Sequence, residues 1–215
     1  MKKLKLGILV VVAAAALLLF YWYLSNKDEN TSENVSEASE ISRLLARDIE
    51  KDYPSTPREV IKLYSRITLS FYNTELSDDE LGKLVDMSLA MFDDELKELN
   101  PREKYIESLK ATIAEYAAAE RIISDYTVQN SQLIDKYRVD GVEYAKVRVM
   151  YSIRDTVTEE DEAVGLLAGC GRKQNKVVNY YTTYEDFLLR KDENGYWKIL
   201  VWKVPEMEGM DGGDE

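Results

Sequence analysis

The chain has 215 residues, a formal net charge of −12, 15 tyrosines, one cysteine and no histidine. Without histidine, Ser-His-Asp and Cys-His nucleophile activation and imidazole zinc sites are excluded, and a lone Cys170 excludes an internal disulfide and a multi-cysteine metal centre. Residues 1–27 hold four of the 28 basic residues and none of the 40 acidic ones, so residues 28–215 carry 24 basic against 40 acidic side chains, a formal −16 that repels nucleic acid and anionic head groups.

Residues 6–24 contain no charge and follow Lys2, Lys3 and Lys5. At about 1.5 Å of rise per residue the run reaches roughly 28 Å, the hydrocarbon thickness of a bilayer, so residues 1–27 are expected to form a transmembrane anchor. The three lysines before it and the acids from Asp28 onward predict a cytoplasmic N-terminus, a body outside the membrane, and Tyr21, Trp22 and Tyr23 at the outer interface. A cleavable signal peptide is the competing reading, because Ala13 to Ala16 are small, but cutting there strands Leu17, Leu18, Leu19 and Phe20 at a soluble N-terminus.

Residues 25–42 are Ser, Asn, Asp and Glu with few apolar side chains, so they cannot bury enough surface to offset their ordering entropy. An acidic stalk over 28–53 is expected, ending in a short helix with Ile41, Leu44, Leu45 and Ile49 on one face and stopping before Tyr53-Pro54. Three helix starts follow in one grammar of cap, first turn and acidic N3 residue, at Thr56-Pro57-Arg58-Glu59, Ser77-Asp78-Asp79-Glu80 and Asn100-Pro101-Arg102-Glu103. Each opens an amphipathic stripe: Val60, Tyr64, Ile67 and Phe71; then Leu81, Leu84, Val85, Ser88, Phe92 and Leu96; then Ile106, Leu109, Ile113, Tyr116 and Ala117.

Past Ile122 the period changes to two. Ala145, Val147, Val149, Tyr151 and Ile153 alternate with Lys146, Arg148, Met150, Ser152 and Arg154, a strand with one buried face. Asp140-Gly141 predicts a tight turn back to a partner over 123–139 that breaks near Asn130. A second hairpin, 177–190 with 196–204, turns at Asp192-Glu193-Asn194-Gly195, with Trp197, Ile199 and Val201 on one face and Leu200 and Trp202 on the other. The loop over 156–176 contains Glu159-Glu160-Asp161-Glu162, which lacks the spacing of an EF-hand, and Gly165 to Lys173, which lacks the interval of a phosphate loop. No metal and no cofactor are therefore expected, and residues 206–215 read as a disordered acidic tail.

Helices first and strands after argue for an α+β fold with an antiparallel sheet against helices. Three helices, about four curved antiparallel strands and a closing strand Gly195-Tyr196-Trp197-Lys198-Ile199-Leu200-Val201 resemble the NTF2-like superfamily of α+β cones, named after nuclear transport factor 2, over residues 54–205. The resemblance implies a concave pocket between sheet and helices, here lined by Tyr64, Tyr72, Tyr116 and Tyr151, and pairing of domains through the sheet, with Tyr180, Tyr184 and Trp202 on the self-association face. An anchor carrying such a cone is similar in layout to the scaffold subunits of type IV secretion and conjugation channels; a Gram-positive surface protein is the other home for that layout.

The expected function is a noncatalytic, membrane-tethered binding or assembly-scaffold module of the cell envelope, with envelope proteins or a second copy as partners. The alternative is a small-molecule enzyme or ligand-binding protein resembling ketosteroid isomerases and cyclases, which use a pocket carboxylate as base. Only Asp135, Glu185 and Asp186 sit where a strand aims a carboxylate inward. A raised carboxylate pKa in a closed pocket favours the enzyme, and a pocket filled by aromatic side chains favours the scaffold.

Overall fold

A computed structural model describes residues 37–159 and 175–205. The apolar run over 6–24, Cys170, most of the expected loop and the acidic tail lie outside the described residues. Among the described residues no helix is long and apolar enough to cross a membrane. The chain parts after Glu40 into two units, and the architecture below is that of the unit from Ile41 onward.

That unit is α+β, with the helices ahead of a curved antiparallel sheet. The expected leading helix is α1 (Glu37–Leu45), and four helices stand where three were expected after it: α2 (Pro57–Asn73), α3 (Asp78–Met91), α4 (Asp94–Leu99) and α5 (Arg102–Ala118). Ile41 and Leu44 of α1 are buried and Leu44 joins the core, so the compact unit starts at 41 rather than 54. The Tyr53 hydroxyl ties the following segment to the sheet by donating to the Trp197 carbonyl at 2.8 Å.

Two of the three expected helix starts form capping boxes. Thr56 accepts from the Glu59 amide and Ser77 from the Glu80 amide, while each glutamate accepts from the amide of its cap. The third does not: Pro101 precedes α5 without a side-chain cap, and Asn100 instead closes α4, its Nδ2 donating to the Leu96 carbonyl at 2.9 Å.

The break that creates α4 is equally instructive. Phe92, on the expected helical stripe, is extended and fully buried, and pairs with Ile199 as a parallel bridge; the Asp93 amide donates to the Ile199 carbonyl at 2.8 Å. Asp93 then caps α4 by accepting from the Glu95 amide at 3.2 Å. Its buried carboxylate also receives Arg190 bidentately, at 2.6 and 3.0 Å. A buried carboxylate held by a guanidinium fork keeps this corner attached to the sheet.

The sheet has five strands: β1 (Ile122–Val128), β2 (Asp135–Val139), β3 (Val142–Glu159), β4 (Asn175–Lys191) and β5 (Trp197–Lys203), in the order β1-β3-β4-β5 with β2 also on β3. The expected break near Asn130 is a single 3-10 turn, Ser131–Leu133, which separates β1 from β2 so that the two line successive stretches of β3. Asp140 and Gly141 both have positive φ, 50° and 85°, the two-residue hairpin conformation that an Asp-Gly pair favours. Strands β3 and β4 pair continuously from Tyr144 with Arg190 to Glu159 with Asn175, so Thr156 and Lys176, read as loop, belong to strands.

Ala145, Val147, Val149, Tyr151 and Ile153 all face the helices and are buried, joined there by Phe187 and Leu189 of β4 and by Trp197 and Ile199 of β5. Between β4 and β5 the register shifts: Leu189 pairs with Ile199, but Leu188 pairs with Val201, leaving Leu200 as the extra residue of a bulge. The bulge reverses the alternation beyond it, so Trp202 pairs with inward-facing Phe187.

Candidate functional site

Between α2, α5 and the inner face of the sheet the chain leaves a cavity of about 190 Å³. Its floor is Tyr151 and Ile153 of β3 with Thr183 and Glu185 of β4, and Trp202 of β5 closes one side. Helix α2 contributes Tyr64, Thr68, Phe71 and Tyr72, spaced by four, three and one along one face. Helix α5 contributes Tyr105, Ser108, Leu109, Thr112 and Tyr116, a stripe offset by one residue from the apolar one. Of the expected stripe on α5 only Leu109 is buried, while Ile106, Ile113 and Tyr116 are partly buried against the core.

All four tyrosines expected at the pocket, Tyr64, Tyr72, Tyr116 and Tyr151, line it. Tyr151 is 3 % exposed and shares a hydrogen bond of 3.1 Å with Ser65. The Tyr72 and Tyr116 rings stack at 4.3 Å, and the Arg121 guanidinium lies 5.2 Å from the Tyr116 ring centre. Tyr64 makes an aromatic cluster with Phe92, Phe187 and Trp202, ring centres 5.6 to 6.0 Å from its own.

Trp202 is thus a correction. It stands on the inner face beside the pocket, not on the outer face with Tyr180 and Tyr184, because the bulge at Leu200 turns it over. Tyr180 and Tyr184 do lie outward, opposite Arg154 and Met150, and Tyr180 is 73 % exposed.

The three candidate carboxylates separate completely. Asp135 is exposed on β2, and Asp186 faces outward, where Arg148 donates to both of its oxygens at 2.6 and 2.7 Å and holds it below its ordinary value. Glu185 faces the cavity opposite Val149. Among the described residues its carboxylate makes no hydrogen bond or ion pair, and burial alone pushes its pKa up to about 7. Its charge reaches the hydroxyls of Tyr64, Tyr72, Tyr105, Tyr116 and Tyr151 and, together with burial, raises all five above their ordinary value. The tyrosine hydroxyls are therefore neutral donors around one desolvated carboxylate.

Tyr105, Thr68, Ser108, Thr112 and Thr183 are the pocket residues that sequence reasoning missed. The spacing of Tyr105, Ser108, Thr112 and Tyr116 was a helical signal, but a half-polar stripe is read as a wet face until the sheet is laid beside it.

Fold and site together define an α+β domain with a tyrosine-lined cavity around Glu185. The chain belongs to the family described as Domain of unknown function (DUF6715), whose model matches residues 1–164. That match spans the helices and β1 to β3 and ends before β4, the strand that carries Thr183 and Glu185. No curated protein matches the chain. Among solved structures, the intermembrane space region of the chloroplast protein ARC6 is similar at 14% identity and a TM-score of 0.31, over 70% of this chain and 98% of that one.

Proposed function

We propose that this protein is a single-pass, membrane-anchored binding module of the cell envelope, with its N-terminus cytoplasmic and an NTF2-like cone outside. The 6–24 run and its flanking charges support the anchor, and helices packed ahead of a curved antiparallel sheet support the cone. The observation that carries the binding role is the cavity lined by tyrosines, inside which the Glu185 carboxylate has no partner among the described residues. Its role is to hold a ligand or an envelope partner without chemistry. Pairing of two copies, where it occurs, uses the outer sheet face around Tyr180 and Tyr184, without Trp202.

The test is crosslinking of the full-length protein in its own membranes, read by mass spectrometry, together with native mass spectrometry of the maltoside-purified chain. The expected result is a stoichiometric envelope partner or a retained small molecule. A chain that carries neither overturns the binding module.

One observation favours a second reading, a proton-transfer enzyme resembling ketosteroid isomerases. Glu185, with a pKa raised to about 7, would be a base matched to neutral pH, and the buried Tyr151 hydroxyl an oxyanion donor. The cavity is smaller than the roughly 300–1,000 Å³ of pockets for drug-sized ligands, which weighs against a steroid-sized substrate. Solvent deuterium entering a bound carbonyl compound, and failing to enter with Glu185→Gln, would establish this reading over the noncatalytic one.

A further inference from the structure

We propose that the cavity receives a small organic cation with a methylated ammonium head, held between the Glu185 carboxylate and the rings of Tyr64, Tyr72, Tyr105, Tyr116, Tyr151 and Trp202. The inference rests on the reading of the domain as a ligand-binding module and names the ligand class of the same site.

Glu185 differs from the other shielded acids of the domain. Asp93 is held by Arg190, Asp155 by Arg121 at 3.3 Å and Asp186 by Arg148, whereas Glu185 has no cation beside it among the described residues. An ionised carboxylate out of water without a partner is costly, and a cation brought by a ligand offsets that cost. The surroundings suit a weakly hydrated cation, because tyrosine and tryptophan rings attract positive charge through their quadrupoles and an aromatic cage is the usual way to hold a quaternary ammonium.

A metal ion fits less well. Among the described residues Glu185 is the only carboxylate lining the cavity, and calcium or magnesium requires six or so oxygen ligands. An anion is disfavoured by Glu185 and by the formal −16 of residues 28–215. The volume sets the size. A cavity of about 150 Å³ holds benzene, so 190 Å³ accepts a ligand of about six to ten non-hydrogen atoms.

Burial pushes Glu185 up to about 7, so ligand binding strengthens as pH rises through that range and the carboxylate ionises. The groups facing it are Tyr64 and Tyr72 from α2, Tyr105 and Tyr116 from α5 and Tyr151 from β3, all raised and neutral there. The charged neighbour is Arg121, which sits over Tyr116 and is already engaged by Asp155.

The experiment is calorimetric titration of the full-length chain in maltoside with choline, with its uncharged carbon isostere 3,3-dimethylbutan-1-ol, and with glycerophosphocholine. Choline is expected to bind at least about tenfold tighter than the isostere at pH 8, to lose about tenfold at pH 5.5, and to lose a similar factor in Glu185→Gln. Glycerophosphocholine binding as tightly as choline assigns a lipid head group as the source of the cation, and weaker binding assigns a free small molecule; both support the cation site. Equal binding of choline and the isostere, with wild-type folding confirmed by circular dichroism, overturns the cation and leaves a neutral-ligand pocket standing. Binding of no probe also overturns it, while the crosslinking result separately decides the binding module.

Discussion

Strand β4 passes through two environments on one face of the sheet. At Phe187 and Leu189 its inward side chains are apolar, at most 1 % exposed, and covered by helix α2 and the α3–α4 corner. Two and four residues earlier the same face presents Glu185 and Thr183 to a cavity. The difference lies in what the helices offer: α2 sets the Tyr64 ring against Phe187 at the closed end, while α5 reaches the other end with tyrosines, Ser108 and Thr112. One strand thus builds a core and a pocket, and the change of chemistry along it marks where packing gives way to binding.

The contrast can be broken most severely at its closed end. Phe187→Ala removes a ring that touches Tyr64 and Trp202 and is expected to cost about 3–5 kcal/mol, measured by urea unfolding of the full chain in detergent. A cost under about 1 kcal/mol would mean that this end is as loosely filled as the pocket.

The open end is sharpened by pH. Glu185 has a folded pKa of about 7 against an ordinary 4.5, so the folded chain binds more protons than the unfolded one between those values. Stability is therefore greatest below about pH 4.5 as far as this group is concerned, falls as pH rises, and is fully reduced above about pH 7. At most roughly 3 kcal/mol is lost in this way. Glu185→Gln should match the wild type at pH 4.5, exceed it at pH 8 and show a flatter stability profile across that interval. Parallel profiles would show that Glu185 is ionised and solvated throughout.

Smaller effects separate helix formation from both ends of the sheet. Thr56→Ala and Ser77→Ala each remove half of a capping box and are expected to cost about 1 kcal/mol by thermal unfolding, without altering the pocket. Smallest is Tyr180→Ser on the outer face, within about 0.5 kcal/mol for the single domain, since that side chain is 73 % exposed. Sedimentation of Tyr180→Ser with Tyr184→Ser tests pairing through the outer face, which those changes should weaken. Trp202→Ala should leave the oligomeric state unchanged, because the ring points inward.

Much of the local grammar was legible. Thr56 and Ser77 cap α2 and α3 because a hydroxyl followed three residues later by glutamate satisfies two amides within one turn. Asp140-Gly141 turns because both positions adopt positive φ. The inward residues of β3, Tyr151 among them, followed from period two, and Tyr64 and Tyr116 reached the pocket because helical spacing placed them on core-facing stripes. Asn100 misled because the same Asn-Pro pair ends one helix as readily as it starts the next. Phe92 misled because its place on a helical stripe was outweighed by burial against Ile199 in an extended conformation.

Helix starts, the hairpin turn, the alternation of β3 and the order of helices before strands depend on near neighbours and are written in the amino-acid order. Tertiary structure alone decided what depends on distant ones. The bulge at Leu200 sent Trp202 inward, Arg190 claimed Asp93 across 97 residues, and of three candidate acids the pleat and its partners left Glu185 alone in the cavity. Side-chain direction and charge partnership are set by which strands and helices meet, and period and propensity carry no record of that meeting.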